Sequence, residues 1–415
     1  MGLLYPNSNP PKSWKLYKIE EIANLVKEQV KPEDFQSEPY IGLKHIGKNT
    51  LSLIDVGQAE DTISNKYRFS TDSFLFGKLR PYFRKVLRPK FSGLCSTDIW
   101  VVEKLGDIDI DYLFYLFSSH EFISLATSSS TGTRMPRASW NFMSQQEVFI
   151  PTLHEQERIG SLLTSLDDKN DVNSSIKHDL EKLGETLFKR WFVDFEFPDE
   201  NGLSYKCNQG AMKDSPNGII PKNWTIHPLD TIAHYLNGLA LQQYPIENEG
   251  DYLPVIKIRE LRNGITEDTD KASRKVPDDY IIQNGDVLFS WSGSLLVKIW
   301  TRGEGALNQH LFKVTSEYPK WFYYYWTKHH LSEFQRIAAE KATTMGHIKR
   351  EHLSDAMVHV PDKKTLEVMS QVMNPILETM INCDLEKQNL SELRDILLPK
   401  VLNGKIQISL ELDRK

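Results

Sequence analysis

Two stretches of the chain carry apolar residues at every seventh position. In the first stretch the pattern runs from Ile159 to Leu187, and a second position three residues later repeats it. A 3.5-residue period kept over about four to five heptads predicts a helix with a coiled-coil seam. The predicted seam residues of this helix are Ile159, Leu162, Leu166, Ile176, Leu180, Leu183 and Leu187.

The second stretch repeats the pattern 210 residues further along the chain. Polar residues such as Asn173 and Glu386 interrupt both stretches near the middle, where they would lower stability but fix the register. The matched register favours antiparallel pairing of the two helices with each other, although each helix could instead pack on its own domain. The predicted seam residues of the second helix are Met369, Val372, Ile376, Leu390, Leu393 and Leu397.

The rest of the chain repeats with the same period. Pro11-Lys12-Ser13-Trp14 returns as Pro221-Lys222-Asn223-Trp224, and Val148-Phe149-Ile150-Pro151 returns as Val358-His359-Val360-Pro361. A period of 210 residues is too long for a solenoid. The repeat therefore indicates a duplicated unit, in which one domain is followed by one helix.

Each domain combines strand and helix patterns. Residues 98–102 and 252–256 are rich in β-branched residues, and residues 111–126 and 321–339 form aromatic-rich helical patterns. The predicted fold class is α+β: two similar mixed α/β domains separated by two long helices that form an antiparallel coiled coil. The predicted boundaries are 1–150 for the first domain, 151–197 for the first helix, 198–220 for a linker, 221–360 for the second domain, 361–404 for the second helix and 405–415 for a tail.

The composition is that of a soluble globular protein. Of the 415 residues, 40% are hydrophobic and 26% are charged, and the sequence contains no apolar run of about 18 residues. The N-terminus lacks the pattern of a secretory signal. The three cysteines are far apart, which argues for a reducing compartment. We therefore expect a cytoplasmic protein.

The net charge of −6 hides a local basic cluster. Residues 151–200 contain twelve acidic and six basic residues, so the excess acid lies in the first helix region. Between Lys78 and Lys90 lie six cations together with Tyr82 and Phe83, and no acidic residue occurs between Asp72 and Asp98. Cations interleaved with aromatic rings are typical of nucleic-acid surfaces, although a solvated strand edge would look similar. The candidate DNA-binding residues here are Lys78, Arg80, Tyr82, Arg84, Lys85 and Arg88.

Two polar loops at equivalent positions extend this hypothesis. Loop 128–137 and its counterpart 341–350 combine small polar residues with cations that could bind phosphates or base edges. Alternatively, these loops could be exposed, flexible loops that bind no ligand. The other cations of the second domain could simply lie on the outer face of a sheet. The candidates are Thr133, Arg134 and Arg137 in the first domain, and Lys257, Arg259, Lys298, His347, Lys349 and Arg350 in the second.

Catalytic motifs fail when they are tested individually. Asn9-Pro10-Pro11-Lys12 resembles the Asn-Pro-Pro-aromatic motif of adenine methyltransferases, but Lys12 replaces the aromatic residue on which a flipped base would stack. The sequence contains no Gly-rich phosphate loop and no histidine pair with metal-ligand spacing. We therefore predict a protein that is not an enzyme and that binds neither a metal nor a cofactor.

One family accounts for these features together. The loop Ser130-Thr131-Gly132-Thr133-Arg134 and the segment 148–159, which reads VFIPTLHEQERI, resemble the type I restriction–modification specificity subunits, and the two Pro-Lys-x-Trp motifs resemble their domain starts. The resemblance covers nearly the whole chain. Residues 362–367 lack the Glu-Gln pair of the first helix, and Gly346 and His347 replace Pro136 and Arg137.

The resemblance implies a specific division of labour. Each domain would be a target-recognition domain for one half of a split double-stranded DNA sequence, and the helices would set the spacing. Two methylation subunits, carrying S-adenosylmethionine, would dock on the chain, and restriction subunits using ATP and Mg²⁺ would join them. The alternatives are a coiled-coil protein-interaction scaffold that does not contact DNA and, more remotely, a methyltransferase that acts alone. The sequence does not reveal which bases are recognised.

Overall fold

The computed structural model describes residue 4 and residues 10–199, 201–247, 250–340 and 346–408. The chain divides into two units, of which unit 1 comprises Met1–Asn170 with Asn389–Lys415 and unit 2 comprises Asp171–Gln388. Within the described part, no helix has the length and apolar character needed to cross a membrane.

The secondary structure is mixed throughout. In chain order the strands are β1 Lys15–Lys18, β2 Ala23–Val26, β3 Gln29–Val30, β4 Pro39–Ile41, β5 Gly57–Gln58, β6 Lys66–Phe69, β7 Ser73–Gly77, β8 Val86–Leu87, β9 Gly93–Cys95, β10 Ile99–Lys104, β11 Glu147–Ile150, β12 Met212–Ser215, β13 Gly218–Pro221, β14 Thr225–Pro228, β15 His234–Asn237, β16 Tyr252–Ile256, β17 Lys271–Ser273, β18 Ile281–Ile282, β19 Val287–Ser290, β20 Val297–Ile299, β21 Gly305–Leu307, β22 Leu311–Thr315 and β23 Met357–Val360. The helices are α1 Ile19–Ile22, α2 Ile110–Ser118, α3 His120–Ser128, α4 Trp140–Met143, α5 Leu153–Phe188, α6 Leu229–Ile232, α7 Ile258–Asn263, α8 Lys320–His329, α9 Leu331–Glu340, α10 Arg350–Asp355 and α11 Lys363–Leu402.

Unit 1 is built on two sheets. One has the order β2-β10-β7-β8, and the other has the order β3-β6-β9-β4-β5, with β4 and β9 parallel. Helix α2 begins where the Asp109 side chain accepts a hydrogen bond from the Tyr112 amide at 2.7 Å, which satisfies a free donor of the first turn. Its aromatic residues pack on the first sheet, with the rings of Phe74 and Phe117 5.1 Å apart. Strand β1 pairs with β11 directly before α5, so this domain ends at the start of a long helix.

Unit 2 repeats this plan. Its sheets have the orders β15-β22-β19-β20 and β17-β16-β21-β18, and β16 and β21 are parallel, as β4 and β9 are in unit 1. Strand β14 pairs with β23 directly before α11. The hydrophobic core is dominated by the aromatic residues of α8, including the buried Trp321 and Trp326. The duplication predicted from the sequence is therefore present in the strand order as well.

The long helices pair antiparallel in both units. In unit 1, Asp167 on α5 forms an ion pair with Arg394 on α11 at 2.6 Å, and Asn170 donates to Ser391 at 3.3 Å. In unit 2, the amide of Asn173 donates to Glu386 at 2.7 Å. Contacts therefore move backwards along α11 as they move forwards along α5, and the predicted antiparallel coiled coil is confirmed.

Half of the predicted seam needs correction. The first heptad position lies inside as expected, since Ile159, Met369 and Ile376 are buried. The second position faces outwards, and its exposed members are Ile176 at 39%, Leu183 at 46%, Val372 at 44% and Leu393 at 44%. The side chains that fill the inner position lie one residue later, at Leu163, Met373, Met380, Arg394 and Val401. Leu162 is only half-buried, as are Leu166, Leu180, Leu187, Leu390 and Leu397 of the first position.

Several predicted elements differ in detail. The helical pattern of residues 111–126 is interrupted at Ser119, which caps α3 by accepting a hydrogen bond from the Phe122 amide. The predicted linker 198–220 contains strand β12 and most of β13, which form an antiparallel hairpin. The ends of α5 differ as well, because residues Lys189–Val193 continue it as one turn of π-helix.

Candidate nucleic-acid interface

The exposed face of unit 1 presents two loops joined by backbone hydrogen bonds. The segment 78–84 follows β7, and the segment 131–137 follows α3. The Arg80 amide donates to the Pro136 carbonyl at 2.7 Å, and the Ala138 amide donates to the Lys78 carbonyl at 2.9 Å. We call these two segments the first loop pair. Because each segment supports the other, side chains on both are held at one place on the surface.

Left-handed backbone bounds the turn at the centre of this loop pair. Arg80 has φ +52° and Arg84 has φ +46°, and a single 3-10 turn, Pro81–Phe83, lies between them. This region is uncommon for residues other than glycine, and held strain of this kind is found at functional sites. The two arginines at the ends of this turn lie in different surroundings, since Arg80 is exposed whereas Arg84 is buried.

The exposed side chains of the first loop pair combine cations with an aromatic ring. Arg80, Thr133 and Arg134 are exposed, and Tyr82 is 46% exposed. The neighbouring Lys48 places its ammonium 4.5 Å from the centre of the Phe83 ring. Such a surface can bind phosphates through its cations and pack its rings against bases or sugars. The sequence prediction did not include Lys48, because it lies thirty residues before the basic run and reaches the loop only in the fold.

Three predicted DNA-binding residues of the basic run have structural roles instead. Arg84 is buried and donates to the Ser118 carbonyl and the Asp395 carboxylate. Lys85 is half-buried and donates to the Leu43 carbonyl, and burial lowers the pKa of its ammonium. We therefore correct the prediction for these residues, because their donor groups are engaged within the protein.

Arg88 is the third of these residues. Its guanidinium pairs with Asp111 at 2.9 Å and also donates to the Thr71 and Ser73 carbonyls, so it joins β7 to α2.

Lys78 is half-buried, and its backbone rather than its side chain forms the bonds within the loop pair. Arg137 forms an ion pair with Asp98 at 2.8 Å, and that hydrogen bond raises the pKa of Arg137.

Unit 2 contains a loop pair of the same construction. Ser292 forms an antiparallel bridge with His347, as Leu79 does with Arg137 in unit 1. The Gly293 amide donates to the Gly346 carbonyl at 2.8 Å, which matches the bond from Arg80 to Pro136. We call segments 291–293 and 346–348 the second loop pair. Residues 341–345, which include Thr343, Thr344 and Met345 of the predicted loop, lie outside the described part of the chain.

The left-handed position in the second loop pair is a glycine. Gly293 has φ +63°, close to the value at Arg80. Glycine adopts this conformation without strain, so unit 1 carries an arginine where the backbone favours glycine. The left-handed backbone is therefore common to both units, and it is strained in unit 1 because a residue other than glycine adopts it there.

Aromatic and imidazole rings take the place of the arginines in the second loop pair. The Trp291 ring lies 5.9 Å from the His310 ring and 6.3 Å from the His347 ring, and its indole nitrogen donates to Asn237 at 2.9 Å. His347 is exposed, as the prediction for it requires. Trp291 and His310 were missed, because single aromatic residues within strand patterns usually belong to the core.

The remaining cations predicted in unit 2 are largely engaged. Lys257 pairs with Asp270, and this pairing lowers the pKa of Asp270, while Arg259 pairs with Glu260 at 2.7 Å. Lys298 donates to the Leu261 carbonyl at 3.1 Å, and burial lowers the pKa of its ammonium. We therefore correct the prediction that Lys298 lies on a DNA-binding surface, since it is held against the fold.

The last two cations flank the second loop pair. Lys349 pairs with Glu351 at 3.3 Å. Arg350 stacks 5.7 Å from the Phe312 ring and donates to the Tyr235 carbonyl at 3.3 Å. Both are exposed and lie directly after the second loop pair.

The structure offers no metal site among the residues that it describes, since no group of three or more potential ligands occurs there. The Asn-Pro-Pro-Lys motif begins at Asn9, which lies outside the described residues. The candidate site of each unit is its pair of loops.

Comparison of the sequence with models of known protein families identifies the family of this chain. The sequence model of the type I restriction modification DNA specificity domain matches residues 11–182 and again residues 221–395. These two matches cover most of the chain and coincide with the two repeats. The chain belongs to the type I restriction–modification DNA specificity family. Both copies of the family domain include one loop pair and a large part of one long helix.

Relatives of this specificity family agree with the assignment. The specificity subunit of the type I restriction enzyme MjaIX from Methanocaldococcus jannaschii is 26% identical over 74% of this chain and 71% of its own length. The specificity subunit of the HindI enzyme from Haemophilus influenzae is 21% identical over 95% of this chain and 99% of its own.

A solved structure of the same family shows the same fold. The crystal structure of the type I restriction–modification S subunit from M. genitalium superposes with a TM-score of 0.59, covering 99% of this chain and 100% of that one at 13% identity. The identity is too low to carry residue roles from one chain to the other.

Proposed function

We propose that the chain recognises a double-stranded DNA target in two parts, with one loop pair for each part. The observation that supports this most directly is the repeated loop pair, in which the bridge from Leu79 to Arg137 recurs as the bridge from Ser292 to His347. A duplicated binding element is what a split target requires. The different side chains on the two loop pairs would then give the two parts different sequences.

The first loop pair would use its exposed arginines for recognition. A guanidinium can bind the O6 and N7 atoms of a guanine with two hydrogen bonds, and each such contact supplies about 1–3 kcal/mol of discrimination. Arg80 and Arg134 are exposed and lie together, since an Arg80 terminal nitrogen is 3.4 Å from the Arg134 carbonyl oxygen. In the second loop pair, Trp291 and His347 would contact bases by packing and by single hydrogen bonds.

The two long helices would act as the spacer between the parts of the target. Helix α5 has 36 residues and α11 has 40, so at 1.5 Å per residue they are about 54 and 60 Å long. One turn of B-DNA spans about 34–36 Å. Helices of this length can span the distance between two half-sites about one turn apart.

The same helices offer a surface for partner subunits. In unit 2, Val172 is 51% exposed on α5, and Val368 and Val372 are exposed on α11. Exposed apolar side chains on a helix typically mark a protein contact. Methylation subunits would dock here and bring S-adenosylmethionine, and restriction subunits with ATP and Mg²⁺ would join them. The chain itself would be non-catalytic.

Mapping of methylated adenines tests this proposal. The chain is expressed with its methylation subunits, and methylated sites are compared in cells with and without it. We expect one sequence motif in two parts that are separated by a spacer of fixed length. A complex that fails to bind duplex DNA at any salt concentration would instead support the interaction scaffold, and tight binding of S-adenosylmethionine by the purified chain would support a methyltransferase.

The salt dependence of binding tests the first loop pair. The double variant Arg80→Ala with Arg134→Ala removes two exposed cations. If both contact phosphate, the slope of log K against log salt should become shallower by about 1.8, because each contact contributes about 0.9. Lys363→Ala is the matched control, since this exposed cation at the start of α11 lies outside both loop pairs. An unchanged slope in the double variant would remove these arginines from the phosphate interface.

A further inference from the structure

We propose that Arg84 positions the first loop pair by anchoring it to the end of α11, so that recognition of one part of the target depends on this helix. The inference rests on the proposed function, because it concerns how a recognition loop is held. It assigns Arg84 a positioning role, through Arg80 and Tyr82, and no contact with DNA.

The anchor is a set of short contacts within unit 1. The side chain of Arg84 is 3% exposed. Its Nε donates to the Ser118 carbonyl at 2.6 Å, and both of its terminal nitrogens lie 3.2 Å from the Asp395 carboxylate. Ser118 ends α2 and Asp395 lies in α11. One side chain therefore ties the loop both to its own domain and to the C-terminal helix.

The charges around the anchor balance. Arg394 is also buried and pairs with Asp167 at 2.6 Å and with Asp395 at 3.3 Å. The Tyr115 hydroxyl donates to Asp167 at 2.8 Å. Two buried guanidinium groups thus share two partly exposed carboxylates, and a buried charge that loses its partner is costly. If Asp395 were neutral, Arg84 would lose the carboxylate charge that its two terminal nitrogens contact, and the contact that holds the loop inwards would weaken.

A displacement of Arg84 would reach the exposed side chains. Only the turn Pro81–Phe83 separates Arg84 from Arg80, and two backbone bonds stiffen it, from Phe83 to Arg80 at 3.0 Å and from Arg84 to Pro81 at 2.8 Å. A short stiff turn moves as one piece. The positions of Arg80 and Tyr82 on the surface therefore follow the position of Arg84.

In unit 2, a different ion pair occupies the place that is equivalent to the Arg84 anchor. Glu185 lies 210 residues before Asp395, and its carboxylate pairs with Lys328 at 2.6 Å. Lys328 lies in α8, 210 residues after Ser118, so the cation comes from a helix and not from the second loop pair. Among the described residues, the buried ion pair at the equivalent place in unit 2 therefore does not involve the second loop pair.

Base discrimination in the full complex tests the inference. The full-length chain is expressed with its methylation subunits, and the methylated motif is determined for wild type, Asp395→Asn and Lys328→Met. We expect Asp395→Asn to reduce discrimination at one part of the motif by about 5- to 150-fold, the range that one arginine–base contact supplies, with the other part unchanged. We expect Lys328→Met, which removes the cation that pairs with Glu185 in unit 2, to keep discrimination at both parts even if it lowers the unfolding temperature.

The outcomes separate the inference from the proposed function. A wild-type complex without a two-part motif would contradict the proposed function itself. A two-part motif that Asp395→Asn leaves unchanged, or relaxes equally in both parts, would overturn the role of Arg84. Arg84→Lys is measured alongside, because it keeps the charge but loses the contact of two nitrogens with one carboxylate. If Asp395→Asn does not fold, relaxation of one part alone by Arg84→Lys supports the inference, and an unchanged motif overturns it.

Discussion

Helix α5 packs closely against α8 at Gly184, where alanine should destabilise the protein. A Cβ atom at this position would lie 1.9 Å from the hydroxyl oxygen of Tyr325 and 2.7 Å from its Cζ atom. The Tyr325 ring is 2% exposed and stacks 5.8 Å from Phe188, so it has little room to move. The helix must therefore shift away from α8.

Two effects of opposite sign decide the result of Gly184→Ala. Helix propensity alone favours alanine by about 0.8–1.0 kcal/mol in a helix interior. Overpacking of a buried contact costs about 1–3 kcal/mol, and an approach of 1.9 Å to a rigid ring belongs at the upper end of that range. We expect a net loss of about 1–2 kcal/mol, which for a unit of about 200 residues lowers the unfolding temperature by about 2–8 °C.

Thermal unfolding of Gly184→Ala, alone and combined with Tyr325→Phe, measures this. The Tyr325 hydroxyl is buried and finds no hydrogen-bond partner among the described residues, so Tyr325→Phe alone should not destabilise the protein. It also removes the atom nearest to the new Cβ, and the double variant should regain part of the loss. A rise in unfolding temperature for Gly184→Ala alone would show that helix propensity outweighs packing here and would refute the close contact.

Two further predictions concern buried charge and pH. Arg394→Met should destabilise unit 1 by about 1–3 kcal/mol in denaturant unfolding, because it leaves the partly exposed Asp167 carboxylate without this partner. Adding Asp167→Leu should recover part of the loss, and a double variant less stable than the single one would contradict this. Burial, with a smaller contribution from His329, lowers the pKa of His330 to about 4, so the folded state binds fewer protons than the unfolded state between about pH 4 and 6.5. Stability should therefore fall by up to about 3 kcal/mol as the pH drops through this window, and His330→Gln should flatten the curve; an equally steep curve in the variant would exclude His330 as the cause.

The sequence predicted the architecture well because its signals are periodic. The heptads, the 210-residue repeat and the domain starts all depend on spacing, and spacing survives divergence of the individual side chains. The error in the seam has a simple origin. The positions three and four residues after the first heptad position both repeat every seven residues. Leu183 and Leu393 are apolar and lie at the earlier of the two positions, so the sequence favoured that position for the seam. The structure places the later position inside, where Gly184 and Arg394 lie.

The candidate site was predicted less well, because a run of cations does not show which way each side chain points. Arg80 and Arg84 are four residues apart in one basic run, yet one faces solvent and the other is buried. The difference depends on Asp395, which lies more than three hundred residues away in sequence. Local sequence cannot reveal such a partner. The DNA-binding roles of the exposed residues stay predictions until binding is measured.

The charges along the helix pair distinguish the first half of this chain from the second. Asp167 of the first half meets Arg394, but a second copy of the first half would offer Gly184 at that position, 210 residues earlier. Lys177 pairs with Asp384 at 2.5 Å, and a second copy would offer Ser174 in its place. A recombinant gene that joined two identical first halves would therefore lose both ion pairs. Exchange of domains between related genes keeps both ion pairs when one first helix and one second helix are retained.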